Sequence, residues 1–102
     1  MNALQELQQK QIELQNYIYQ RQALELQLNE INSALEEIED SKESYELIAN
    51  IMIKRSSEKI KEKLNEKKDL IEFKIESIKK IEKRLEQEIE ELRKKANDEL
   101  SK

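Results

Sequence analysis

The side chains here that could do chemistry are almost all carboxylates. Adjacent acids occur at Glu36/Glu37 and Glu90/Glu91, and a carboxylate pair is enough for general acid–base work. Such a dyad needs a pocket that drives its two pKa values apart. Both pairs sit in helical, charged sequence that provides none, so they read as solvated surface. The chain has no His to serve as a base near neutral pH. It has no Cys for a thiolate or a disulfide framework, and no Gly for a phosphate-cradling loop. Tyr17 and Tyr19 are two residues apart and cannot share a helix face. They read as half-buried flank residues, because a stacking site would also need a basic groove. With no nucleophile, metal cage or cofactor loop in view, the expected protein is not an enzyme and takes no cofactor.

Composition narrows what remains. The 102 residues are 41% charged and 36% hydrophobic, with no Pro, Gly or Trp. That length supports one structural unit at most, predicted over 1–102. Dominance by Glu, Lys, Gln and Leu with helical spacing points to a long helix or coiled coil. The regular apolar spacing argues against the disorder that high charge alone would allow. No apolar run approaches 18 residues, so no membrane span is expected. Met1-Asn2-Ala3-Leu4-Gln5 lacks a basic region followed by an apolar core, so a cytoplasmic protein is the default. Net charge is −4 and uneven. Residues 1–53 hold 3 basic and 10 acidic side chains, a balance of −7; residues 54–102 hold 16 and 13, a balance of +3. Basic residues interleave with acids, which marks a solvated helix face rather than a nucleic-acid footprint.

Two arms must position anything functional. The first, about 2–40, places Leu4, Leu7, Leu14, Ile18, Leu24, Leu28, Ile31, Leu35 and Ile38 at gaps of three and four. Gln11 and Arg21 stand where Leu might, Leu26 lies off the stripe, and the step Ile18–Arg21–Leu24 predicts a stammer that overwinds the coil. Its outer portion is rich in Gln, a good helix former that repels no neighbour. The second arm, about 57–100, carries Ile60, Leu64, Ile71, Ile75, Ile78, Ile81, Leu85, Ile89, Leu92 and Ala96, with Lys67 intruding. Ser57 is the expected N-cap, with Glu58 suiting the helix dipole. Arms of about 40 residues would each run roughly 60 Å. The polar stretch Asp40-Ser41-Lys42-Glu43-Ser44 breaks the apolar period as a helix stop would. The predicted fold is mainly α: a long antiparallel coiled-coil hairpin.

Between the arms, about 44–54, lies a short β-hairpin with its turn at Ala49-Asn50. Counting alternate residues straight through puts Tyr45, Leu47, Ile51 and Ile53 on one face and Ile48 and Met52 on the other. Both faces are apolar. An isolated hairpin is marginal in water and its edges invite other strands. Tyr45, Leu47, Ile48, Ile51, Met52 and Ile53 are therefore the expected oligomerisation residues. Antiparallel pairing brings Leu4, Leu7, Gln11 and Ile12 near Ile89, Leu92, Ala96 and Leu100 at the arm tips, where the last apolar residues lack neighbours beyond them.

Gln20-Arg21-Gln22-Ala23-Leu24-Glu25-Leu26-Gln27-Leu28-Asn29-Glu30-Ile31 and Ala34-Leu35-Glu36-Glu37-Ile38 in the first arm, and Glu62-Lys63-Leu64-Asn65-Glu66-Lys67-Lys68-Asp69-Leu70-Ile71-Glu72 and Glu82-Lys83-Arg84-Leu85 in the second, resemble the two helices of the archaeal prefoldin β subunit family. The specific part is Tyr45-Glu46-Leu47-Ile48-Ala49-Asn50-Ile51-Met52-Ile53-Lys54, similar to the family's Tyr-Lys-x-Val-Gly-Asn-Leu-Leu-Val-Lys. Ala49 stands where that pattern has Gly. The Pro-containing lead common in the family is missing here, as is any extension past the second helix, so short arm tips are expected.

The resemblance implies a hetero-hexamer of two α-type and four β-type subunits. Its hairpins would form a β-barrel body, and its tips would hold unfolded protein clients for delivery to a group II chaperonin without ATP. On that reading Leu4, Leu7, Gln11, Ile12, Ile89, Leu92, Ala96 and Leu100 bind clients through weak, multivalent contacts. Glu90, Glu91, Arg93, Lys94, Lys95 and Asp98 could dock the chaperonin, though solubility explains any one of them. The alternative is a structural coiled-coil oligomerisation protein without client binding. No nucleic acid or membrane partner is expected on either reading.

Overall fold

The computed structural model describes residues 2–38 and 43–101. Element order is helix α1 (Ala3–Ile38), strand β1 (Glu43–Ile48), strand β2 (Ile51–Ser56) and helix α2 (Ser57–Leu100). This is the expected pair of long helices with a short antiparallel hairpin between them. The helix stop predicted at Asp40-Ser41-Lys42 lies outside the described residues. The chain divides into two compact units, Met1–Ala23 with Ile75–Lys102, and Leu24–Lys74.

Capping explains where the helices begin. At α1 the Asn2 side chain accepts from Gln5 N–H at 2.9 Å while Gln5 Oε1 accepts from Asn2 N–H at 3.3 Å. Two helix-terminal donors are thus satisfied reciprocally, as in a capping box. At α2 the cap is Ser56, whose Oγ accepts from Lys59 N–H at 3.4 Å. That shifts the N-cap one residue from the expected Ser57, which is instead buried as the first helical residue.

Inside each helix one run of buried and half-buried positions alternates by four and three, with Glu6, Glu13, Ile18, Glu25, Asn32 and Ala34 of α1 and Ile60, Ser77, Ile81 and Glu88 of α2 half-buried beside it. In α2 it runs Ser57, Lys61, Leu64, Lys68, Ile71, Ile75, Ile78, Glu82, Leu85, Ile89, Leu92, Ala96. In α1 it runs Ala3, Leu7, Lys10, Leu14, Tyr17, Arg21, Leu24, Leu28, Ile31, Leu35, Ile38. This is the heptad spacing of a coiled-coil seam, and it corrects the apolar reading in several places. Ala3 is buried and Leu4 is not; Lys68 is half-buried and Lys67 exposed; Glu82 is buried and Ile81 only half-buried. Tyr17 and Ile18 are both half-buried, and the run through Tyr17 keeps the four–three alternation across the place where the stammer was expected. An apolar-only pattern drifts wherever the seam holds a polar residue.

The hairpin register pairs Glu46 with Ile53, Leu47 with Met52 and Ile48 with Ile51. Directly paired residues share a face. The two faces are therefore Tyr45, Leu47, Met52, Lys54 and Glu46, Ile48, Ile51, Ile53, Arg55. The expected grouping fails because a two-residue turn reverses the parity of the second strand. Ala49 and Asn50 have φ of 48° and 67°, the two left-handed residues of a type I′ turn, whose twist matches the strands. Asn tolerates that region; Ala pays roughly 1–2 kcal/mol for its Cβ. Ala49→Gly is expected to stabilise the protein by about 1 kcal/mol. The check is a higher urea midpoint at unchanged slope.

Candidate functional site

In the Leu24–Lys74 unit the hairpin is the chemically unusual element. Among the described residues its sheet has two strands, so each strand presents an edge to which another strand can pair. Leu47 and Met52 face each other across it and are 67% and 68% exposed. Tyr45, Ile48 and Ile51 are also exposed, and Ile53 is half-buried. The opposite face is tied to α2 by charge. Glu46 accepts from Lys63 Nζ at 3.1 and 3.3 Å, and Arg55 Nε lies 2.7 Å from Glu46 Oε2. An open groove of about 670 Å³ runs between Ala34 and Ile38 of α1, Tyr45 and Leu47 of β1, and Ile60 and Leu64 of α2. Its apolar lining and the free strand edges suit this region to receiving another polypeptide rather than a small polar substrate.

The other unit contains the helix ends. Leu7, Ile89 and Ala96 are buried there, Leu92 is half-buried, and Leu4, Gln11, Ile12 and Leu100 are exposed. The buried members of the expected set form the seam, and the exposed ones are what the unit shows outward. Lys10 Nζ reaches Glu88 Oε2 at 3.0 Å, with Arg84 Nε 3.6 Å from the same carboxylate. The hydrogen bond from Lys10 to Glu88, together with the acid's charge, holds the ammonium pKa above its usual value. Glu90, Glu91, Arg93, Lys94, Lys95 and Asp98 are all exposed; Arg93 lies 3.9 Å from its helix neighbour Glu90. The acid pairs Glu36/Glu37 and Glu90/Glu91 are solvated, in line with their sequence context.

One constellation escaped the sequence reading. Arg21 Nε donates to Glu82 Oε2 at 2.7 Å, and Glu82 is 7% exposed. An ionised carboxylate is almost never this buried without a partner. The available signal was the four–three spacing of Ile78, Glu82, Leu85 and Ile89, which continues through the acid. Among the described residues no group of three His, Cys, Asp or Glu could hold a metal ion, and no helix is long and apolar enough to cross a membrane.

Comparison with known proteins meets this geometry directly. A family described as prefoldin subunit matches residues 1–102. The prefoldin subunit beta of Archaeoglobus fulgidus is 33% identical, over 98% of this chain and 89% of its own. That of Pyrobaculum islandicum is 34% identical over 91% and 77%. Among solved structures, the prefoldin beta subunit from Thermococcus strain KS-1 aligns with a TM-score of 0.83 at 30% identity, covering 88% of this chain and 82% of that one. Two long helices, a hairpin with free edges between them, and a family match from end to end agree: the chain belongs to the prefoldin subunit family.

Proposed function

We propose that this chain is a β-type subunit of an ATP-independent holdase. Further β copies and an α-type subunit associate with it through the hairpins, in a hexamer of two α and four β chains. The free helix ends hold unfolded proteins and pass them to a group II chaperonin. The observation that carries this reading is the hairpin, whose two edge strands expose apolar side chains that so short an element cannot bury alone. In the helix-end unit, Leu4, Gln11, Ile12 and Leu100 offer the client contacts, while Leu7, Ile89 and Ala96 hold the pair together behind them. Single contacts of this kind are weak, and several ends around one client add by multivalency. With no Gly the chain has no phosphate-binding loop, which supports work without nucleotide.

Two measurements test it. Native mass determination, with and without an α-type subunit, should give a defined oligomer rather than a monomer. That assembly should then suppress aggregation of a chemically denatured protein in the absence of nucleotide. A defined oligomer with no suppression would favour a purely structural coiled-coil protein and sink the holdase reading.

A further inference from the structure

We propose that the outward face of α1 between Leu4 and Gln22 is a charge-free capture surface for extended, unfolded polypeptide, gripped through its backbone amides. This rests on the holdase reading and deepens it by naming the surface and the chemistry of its ligand. In a chain that is 41% charged, no exposed residue between Asn2 and Ala23 carries a charge. The four charged residues there, Glu6, Lys10, Glu13 and Arg21, are all half-buried, and Lys10 and Arg21 reach across to Glu88 and Glu82 of α2. The α2 half of the same unit is the reverse: its exposed positions are charged except Gln87, Asn97, Leu100 and Ser101. Charge has been kept off one helix surface and placed on the other.

The uncharged surface is ordered. Leu4, Gln8, Ile12, Gln15, Tyr19 and Gln22 are all exposed and recur at steps of four and three, so they line one face for about 27 Å. Leu4, Ile12 and Tyr19 are 50%, 64% and 62% exposed. This is a second stripe, roughly opposite the seam. Its composition decides between possible occupants. A folded helix docking here would bury three Gln amides against a surface whose own backbone groups are already bonded, leaving those amides unsatisfied. An extended unfolded segment carries free N–H and C=O groups, and each Gln side chain both donates and accepts. The three apolar side chains would take its apolar residues at intervals. With no charge on the surface, no client is repelled for its sign and binding is insensitive to salt.

The test uses the assembled full chain and a labelled peptide of about 30 residues built from Gly, Ser, Gln and Leu, capped at both ends so that it is flexible and uncharged. The stripe variant is Gln8→Glu, Gln15→Glu, Gln22→Glu, which keeps size and helix propensity. The control, Lys79→Gln, Lys83→Gln, Lys94→Gln, makes the same change in net charge on α2. Wild type should bind with a Kd that moves less than about twofold between about 0.05 and 0.5 M NaCl. The stripe variant should weaken binding by about tenfold or more, since several weak contacts are lost together, and the control by less than about twofold. Equal losses in both variants, or wild-type binding that collapses with salt, would overturn the proposal. So would a stripe variant that falls apart on native mass analysis, because the face would then be an interface between copies. If wild type binds no peptide and suppresses no aggregation, the holdase reading fails; if wild type does both and the stripe variant does too, only the stripe is refuted.

Discussion

Arg21→Met is expected to destabilise the protein by about 2–3 kcal/mol, far more than loss of a surface ion pair, which is typically worth under about 1 kcal/mol. The reason is what the substitution leaves behind. Glu82 is 7% exposed and occupies a seam position between Ile78 and Leu85. Without the guanidinium 2.7 Å away, a buried carboxylate must stay charged in a poor solvent, take up a proton or pull the helices apart for water. Arg21 keeps about a quarter of its side chain exposed, so the expected cost sits below the upper range for fully buried pairs. The companion variant, Arg21→Met with Glu82→Leu, removes both charges at similar volume. It should return to within about 1 kcal/mol of wild type or exceed it. Urea midpoints at one fixed protein concentration supply the four corners of the cycle. Additive losses, with a coupling near zero, would mean that the pair does not act as a unit. A double variant that is stable but no longer holds one helix alignment would show that the pair sets register, as single polar seam residues do in coiled coils. The chain has no native Cys, so paired cysteines introduced along α1 and α2 would read that register without background.

That pair also shows how far the sequence could be read. Both long helices, the hairpin between them and its turn at Ala49-Asn50 were legible, because each follows from local rules: apolar gaps of three and four, no Pro or Gly to interrupt, and an Asn that accepts a positive φ. What local rules could not place were polar residues doing core work. Lys10, Tyr17 and Glu82 lie on the seam, yet hydropathy assigns them outward; Arg21 stands on the stripe, but only as an intruder whose partner the sequence does not name. An apolar-only stripe therefore moved to Leu4, Ile18 and Ile81, and the expected stammer entered with Ile18. The face assignment in the hairpin failed for a different reason. Parity across a turn depends on its length, and counting straight through Ala49-Asn50 ignores that a two-residue loop sets Ile48 opposite Ile51. The outer stripe of α1 was half-visible. Its Gln content stood out, but that Lys10 and Arg21 reach away from it depends on partners on α2, which lie more than 60 positions away in the chain.

The register makes the assembly prediction sharper than a count of apolar residues allows. Leu47→Lys with Met52→Lys places two ammonium groups directly opposite each other on one face; Ile48→Lys with Ile51→Lys does the same on the other. Each double variant is expected to convert the oligomer to monomer, raising its dissociation constant by about a thousandfold or more. Two charges must be desolvated where apolar contacts were, and like charges repel across the strand pair. The helices should be untouched, because their seam residues pack in positions remote in sequence from the turn and helical content is set there. Native mass and circular dichroism together check this: mass falls, helicity stays. If only one double variant dissociates, the other face is solvated in the assembly and the hairpin adds to a one-sided sheet rather than being covered on both sides. If neither does, the subunits associate through helix surfaces, and the exposed strand edges need another occupant. The groove beside Tyr45 and Leu47 weights the expectation towards the Leu47–Met52 face. There an incoming strand could pair with the β1 edge and bury its side chains against Ile60 and Leu64 in one step, so that pair should show the larger loss.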